Sequence, residues 1–376
     1  QPCYNTPFIV HADFAMTEPT YIPLRLHTEF SITDGMVRIK KLIAKAQEYG
    51  LPALGISDLM NEFGLVKFYK ACRGAGIKPI GAADVWIGNP NVPDKPFRAM
   101  LIIRNDAGYL RLSELLTEAY VGKDRNIHHA ELNPEWLENG DNSGLICLSG
   151  AHYGEVGVNL LNGNEDAARA AALKYAAWFP DAFYLELQRL PERPEWEACV
   201  SGSVKLAEEL GLPVVATHPT QFMSRDDFNA HEARVCIAGG WVLTDKKRPR
   251  DFTPSQFFIP PETMAERFAD LPEALENTVE IAKRCNLHIT LGKNFLPLFP
   301  TPDGLSLDDY LVKLSNEGLQ ERMVQLYPDE AERAAKMPEY QERLDFELNI
   351  IIQMKFPGYF LIVQDFINWA KTHGCP

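Results

Sequence analysis

The sequence predicts an α/β fold, read as a closed or distorted barrel of about seven strand–helix units, followed by a mostly helical segment. Two observations carry that expectation. Strand-like and helix-like stretches alternate from Tyr21 to about Phe222, and seven strands are many for an open sheet of that length. Beyond Phe222 the pattern turns helical. A doubly wound open sheet is the alternative.

Taken in order, Ile22–His27 alternates as a first strand and ends in the polar turn Thr28–Gly35. Met36–Tyr49 has apolar residues near helical spacing and stops at Gly50. Leu54–Ile56 reads as a buried strand ending at Ser57-Asp58, and Gly64–Cys72 as a helix closed by Gly74 and Gly76. Ile77–Ile87, which contains Asp84, and Arg98–Ile103 read as strands. Gly108–Tyr120 then reads as a helix and Gly144–Leu148 as a strand ending in Ser149-Gly150. Glu165–Phe179 is an alanine-rich helix, Phe183–Leu187 alternates as a strand, and Trp196–Leu210 is a helix closed by Gly211. Leu212–Thr217 ends the series at His218-Pro219. Asp226–Ala238 and Pro261–Cys285 follow as helices. The proline-rich run Leu296–Asp303 marks a boundary. Ser306–Leu326, Tyr340–Gln353 and Tyr359–Thr372 are the last three predicted helices.

The chain has 376 residues, room for two to three domains with cores of their own. Its net charge of −14 argues against a surface built mainly to grip DNA. The basic stretch Thr244–Arg250 runs against that balance and reads as a solvated loop, with a phosphate-contacting loop as the sharper option. Seven cysteines without a CxxC pair fit free thiols in a reducing cytoplasm. No apolar run reaches the ~18 residues of a membrane span. The chain starts at Gln1, and Met16-Thr-Glu-Pro reads as a natural start, so residues 1–15 are expected to be a non-native or disordered leader. The abrupt ending after a strong helix suggests a longer protein.

The strand ends collect His27, Asp34, Asp58, Asp84, Glu186 and His218. If the barrel closes, several of these face one mouth. Imidazoles among carboxylates suit divalent metals that activate water for phosphoester hydrolysis. Each residue also has a plainer reading. Asp34 is an N-cap candidate for the next helix, Asp58 caps a turn in the same way, Asp84 accepts backbone N–H bonds, and His27 is simply hydrogen-bonded. His128, His129, His152 and His231 add little. There is no GxSxG, Walker loop or GxGxxG after a strand.

The stretch Leu24-Arg-Leu-His-Thr-Glu-Phe-Ser-Ile-Thr-Asp-Gly35 resembles the first motif of the PHP (polymerase and histidinol phosphatase) domain. Further matches are Leu54–Asp58, Gly64–Tyr69, Gly76–Ile80, Pro213–Thr217, Lys247–Arg250, Glu280–Cys285 and Phe356–Val363. Together they resemble the N-terminal part of the bacterial DNA polymerase III alpha subunits, from about Met16 to Pro376. The resemblance implies a distorted (β/α)7 barrel over residues 16–288 and the start of a polymerase palm over 289–376. The polymerase aspartates would lie beyond this stretch, so the fragment is not expected to polymerise DNA alone. Magnesium is expected for the intact polymerase.

Carried over position by position, the PHP metal pattern is sparse here. The His-x-His of the first motif is Arg25-Leu26-His27, and its Asp is Asp34. Asp-His becomes Asp58-Leu59, the motif glutamate becomes Asp84, and a later histidine falls at Arg98. The cysteine after Ser-Gly falls at Ala151, and the final Asp-x-His at Pro219-Thr220-Gln221. His27 and Asp34 remain, with Asp84 a shorter substitute, so Mg, Mn or Zn would bind weakly. Arg25 and Arg98 are expected to pair with Asp34 or Asp84 in place of the metal's charge. By resemblance, such a degenerate PHP domain serves as scaffold and docking surface for the proofreading exonuclease (epsilon) subunit. Other replicase subunits and DNA would contact regions beyond this chain, without a membrane. The alternative function is a metal-dependent phosphoesterase or 3′–5′ exonuclease.

Overall fold

The structure is a computed structural model that describes residues 19–293 and 296–375. The expected leader, residues 1–15, lies outside the described residues. The chain divides into two compact units, one ending at Ile289 and the next starting at Thr290.

The first unit is built on a curled six-stranded sheet in chain order: β1 (Ala53–Leu59), β2 (Lys78–Ile87), β3 (Phe97–Ile103), β4 (Leu145–Leu148), β5 (Phe183–Leu187) and β6 (Val214–Ala216). The pairs β1–β2, β4–β5 and β5–β6 are parallel. Strand–helix alternation argues for a parallel sheet, and β3 departs from it by running antiparallel to both its neighbours. Residues 88–96 contain no helix, so the chain turns back from β2 without the crossover that a parallel neighbour needs. The strands read as apolar runs because both faces are covered, and all four residues of β4 are buried.

Ile22–His27 is extended but is not one of the ladder strands, a second correction. It still fills the seventh place. Pro23 and Leu26 carbonyls accept from Gly55 N and Ser57 N of β1 at 2.7 and 2.9 Å. On the other side His27 N donates to Thr220 O at 3.0 Å, just past β6. The two-residue period puts Leu24 and Leu26 on one face and Arg25 and His27 on the other. Both leucines are fully buried, each contributing about 1.5–3 kcal/mol. Proline at 23 lacks a donor, and the segment closes the ring through isolated bonds and not a regular ladder.

The helices cover the sheet: α1 (Ile39–Glu48), α2 (Leu65–Gly74), α3 (Asp106–Val121), α4 (Pro134–Glu138), α5 (Glu155–Leu161), α6 (Glu165–Trp178), α7 (Glu197–Leu210), α8 (Phe228–Gly239), α9 (Pro261–Arg267) and α10 (Pro272–Arg284). α1 buries Ile39, Leu42, Ile43 and Ala46, the apolar stripe read from the sequence. α7 ends on Gly211 in the left-handed conformation, where a side chain would be strained. The single helix expected over Pro261–Cys285 is two helices. Pro272 starts the second one, and Leu271 before it is pushed out of the helical region to φ −135° and ψ 59°.

The second unit holds α11 (Leu307–Leu326), α12 (Glu330–Gln353) and α13 (Pro357–Thr372) around Leu311, Leu348 and Leu361. α12 begins ten residues before the expected Tyr340 and runs through Pro338. Asp329 caps it, accepting from Glu332 N at 2.9 Å. Six free cysteines occur among the described residues. No single helix there is long and apolar enough to cross a membrane.

Candidate functional site

The closing segment aims Arg25 and His27 inward, and the sheet supplies their partners. Arg25 donates to Glu186 of β5 through two parallel bonds, Nε to Oε1 at 2.7 Å and Nη2 to Oε2 at 2.9 Å. Its Nη1 reaches Asp84 Oδ2 of β2 at 2.5 Å. A guanidinium's planar fork is shaped for this double contact. Glu186 also accepts from Gly150 N at 3.1 Å, Gln188 Nε2 at 3.2 Å and Thr217 Oγ1 at 2.5 Å. Gly150 has a φ of +79°, and a Cβ there would sit 2.1 Å from the Arg98 carbonyl. Only glycine lets the turn after β4 approach this closely.

His27 sits between two carboxylates. Its Nδ1 is 3.0 Å from both oxygens of Asp34, and its Nε2 is 3.0 Å from Asp84 Oδ2. Carboxylates only accept, so both ring nitrogens carry protons and the ring is an imidazolium. Burial opposes that charge, but Asp34 first and then Asp84 outweigh it and raise His27 to about 9. Burial is the largest influence on Asp34 and pushes it up, but the charge and hydrogen bond of His27 together with the charge of Arg98 outweigh it and leave it below its usual value. The same contest holds Asp84 well below the carboxylate range, with Arg25 and Arg98 as the leading charges.

Arg98 lies opposite Trp86 in the β2–β3 register, and its guanidinium stacks 4.5 Å from that ring's centre. Its Nη2 is 3.1 Å from Asp84 Oδ2. Arg25, His27 and Arg98 thus face Asp34, Asp84 and Glu186, three cations against three carboxylates. Of the two carboxylates expected to face the arginines, Asp34 or Asp84, it is Asp84 that lies against both. Asp34 is held by the histidine instead, and α1 starts only at Ile39, so Asp34 is not its cap.

Asp58 and His218 stand apart from this cluster. Asp58 accepts from Thr28 N at 2.6 Å, from Thr28 Oγ1 at 2.8 Å and from Ser31 Oγ at 2.8 Å, so it fastens the turn after the closing segment. Burial raises its carboxyl despite the Thr28 bonds. His218 Nε2 donates to Phe257 O at 2.9 Å and its Nδ1 faces Arg267 at 3.3 Å. Burial, helped by Arg267, lowers it to about 3, so it is neutral.

A cavity of about 400 Å³ opens over the cluster, lined by Arg25, His27, Asp34, Asp84 and Arg98 on its floor. Trp86, His152, Trp196, Gln221 and Trp241 are among its walls. His152, which no sequence pattern singles out, stacks its ring 3.5 Å from that of Trp196. Burial and the nearby Arg25 lower it to about 3. Glu186 and Gly150 were visible at strand ends, but Gln188 and Thr217 carry no local signal. The basic loop is divided: Lys246, Lys247 and Arg250 are exposed, while buried Arg248 pairs with Glu232 at 2.5 Å.

The donor set does not suit a metal cluster. Both nitrogens of His27 are occupied by protons facing carboxylates, and Arg25 fills the place beside Asp84 where a cation would sit. Among the described residues no group of three or more His, Cys, Asp or Glu side chains is arranged to hold a metal ion.

The sequence pattern of the PHP domain matches residues 23–190, and that described as the bacterial DNA polymerase III alpha NTPase domain matches 309–376. The DNA polymerase III subunit alpha of Neisseria meningitidis serogroup A is 98% identical over 361 residues, covering 96% of this chain and 32% of that protein. The chain belongs to the bacterial DNA polymerase III alpha subunit family. The Pseudomonas fluorescens alpha subunit is 48% identical over 95% of this chain and 30% of its own length. That of Escherichia coli K12 is 47% identical over 96% and 31%. The chain therefore spans about a third of the length of these alpha subunits. The PHP match takes in the closing segment and β1 to β5 of the barrel.

Proposed function

We propose that the chain is the PHP-bearing part of a replicative, DNA-directed DNA polymerase of the cytoplasm, a nucleotidyltransferase as a whole. In this reading the barrel mouth is a degenerate metal site that serves as a scaffold. The carrying observation is the neutral cluster of three cations and three carboxylates. A divalent ion entering it would have to deprotonate His27, raised to about 9, and displace Arg25 from Asp84. Burial makes both steps costly. The positions read as residual ligands, His27, Asp34 and Asp84, then hold protons and arginines. Residues 16–288 would be the PHP unit and 289–376 the start of the palm, with the magnesium-dependent chemistry outside this chain.

The scaffold role extends to docking the proofreading exonuclease (epsilon) subunit, and the reading is supported by a closed, charge-balanced barrel with little use for chemistry of its own. Elemental analysis of the purified chain tests the first half: less than stoichiometric Mg, Mn or Zn is expected, and two or more tightly held ions would overturn it. Co-elution with the exonuclease subunit tests the second half. A metal-dependent phosphoesterase or 3′–5′ exonuclease is the rival, favoured by the open cavity over His27. Hydrolysis of a chromogenic phosphate ester or single-stranded DNA with added Mn, lost in His27→Ala, would establish it.

A further inference from the structure

At the edge of the cavity α8 ends in a loop that is firmly built yet open to solvent. Ile237, Val242, Leu243 and Trp241 are 82%, 67%, 45% and 40% exposed. The backbone beneath them is ordered by bonds. Trp241 N donates to Cys236 O at 2.8 Å, and Asp245 N to Val242 O at 2.9 Å. Arg248 donates to the Leu243 carbonyl at 3.2 Å while its other end is buried against Glu232. Exposed apolar side chains held together on a rigid loop mark an interaction site more than a loose surface loop does.

The charge beside this patch runs against that of the chain. Lys246, Lys247 and Arg250 are exposed in a protein with a net charge of −14. Asp245 is turned into the loop, accepting from Lys247 N at 2.8 Å, which leaves Asp251 as the acidic neighbour of the three cations. The patch also continues inward. Trp241 lines the cavity of about 400 Å³ together with Phe252 and Cys236. On its inner walls His152 and Gln221, only 7% and 4% exposed, keep polar atoms with no hydrogen-bond partner, as does Arg98 at Nε. Buried polar atoms left unpaired favour a ligand that pairs with them.

We propose that the α8 loop and the cavity behind it dock a peptide segment of a partner protein that combines apolar with acidic residues. An apolar anchor enters against Trp241 and Phe252. Acidic side chains meet Lys246, Lys247 and Arg250 outside; inside, Arg98 Nε and a His152 ring N–H are free to donate to a carboxylate, and Gln221 Oε1 is free to accept from the segment's backbone. A single-stranded nucleic acid fits less well. Ile237, Val242 and Leu243 are aliphatic, and base stacking needs successive aromatic faces. The proposal rests on the mouth being a docking surface, and it specifies the chemistry of what docks.

The test uses fluorescence anisotropy with labelled synthetic peptides in which a Phe-Leu pair is flanked by glutamates. Control probes carry Lys for Glu, Ser for the Phe-Leu pair, or are oligo-dT. The acidic, apolar peptide should bind this chain and the full-length alpha subunit alike. Lys246→Glu with Lys247→Glu, and separately Val242→Glu with Leu243→Glu, should each weaken it about tenfold or more. These side chains are exposed, and an unchanged denaturation midpoint checks that the variants fold. Preference for the Lys-bearing peptide or oligo-dT, indifference to both pairs of substitutions, or loss of the site in the full-length subunit would overturn the proposal. Co-elution with the exonuclease subunit is measured in parallel. If it survives while no peptide binds, docking stands and this inference falls; if the peptide binds without co-elution, the inference stands and the exonuclease is the wrong partner.

Discussion

His27 and His218 lie on neighbouring stretches of chain, joined by the 3.0 Å bond from His27 N to Thr220 O. Both are buried, and they carry opposite charge states. His27 has a carboxylate at each ring nitrogen and is raised to about 9. His218 has a carbonyl on one side and a guanidinium on the other and is lowered to about 3. Burial disfavours the charged form in both cases, so the partners decide the outcome. The mouth is a region held by ion pairs, and the wall beside it is held by bonds to an uncharged imidazole.

The sharpest way to break that contrast is to remove a cation from the mouth. Arg25→Met leaves Asp84 and Glu186 buried without their main partner and should cost about 3–5 kcal/mol in denaturant unfolding. Adding Asp84→Asn and Glu186→Gln should recover much of that loss. No recovery would mean that the arginine acts through packing. Next in size, His27→Gln should cost about 2–3 kcal/mol and His218→Gln about 1 kcal/mol, because only the first strands carboxylates. Equal losses would remove the distinction.

The pH dependence has opposite signs at the two sites. His27 is raised in the folded state, so its contribution is complete below the ordinary value of about 6.5 and is lost as pH rises toward about 9. His218 is lowered, so its contribution is complete above about 6.5 and is lost as pH falls toward about 3. Asp34 and Asp84 are also depressed, and their contribution fades below about 4. Unfolding free energies against pH should show wild type losing stability on the alkaline side relative to His27→Gln, and on the acid side relative to His218→Gln. A change as small as that of His218→Gln is expected at Asp58→Asn, where hydroxyl and N–H partners persist. About 1 kcal/mol is expected there, and a loss matching Arg25→Met would place Asp58 among the ion-pair residues.

Much of this was legible because it is local. Apolar spacing located α1, α7 and β5, and Gly211 marked where α7 stops. The leucine–charge alternation from Leu24 to His27 showed that two polar side chains share a face. What escaped was pairing at a distance. That Glu186 would clasp Arg25, or that Gln188 and Thr217 would share its oxygens, depends on a ring closing between remote strands. The sense of β3 escaped too, since helix–strand alternation says nothing where a connection lacks a helix. The start of α12 escaped as well: the Asp329 cap with Glu332 sets it ten residues before the expected Tyr340.

The closing segment carries a consequence for how the barrel forms. It is tied to β1 and the β6 end by isolated main-chain bonds, whereas Arg25 grips a residue 161 positions along the chain. Such a clasp cannot form until β5 has been placed, so loop-closure entropy puts it late on the folding route. It then resists opening more than it hastens assembly. Arg25→Met should therefore leave the refolding rate nearly unchanged and speed unfolding, which makes the charged mouth a kinetic latch on the ring's last seam.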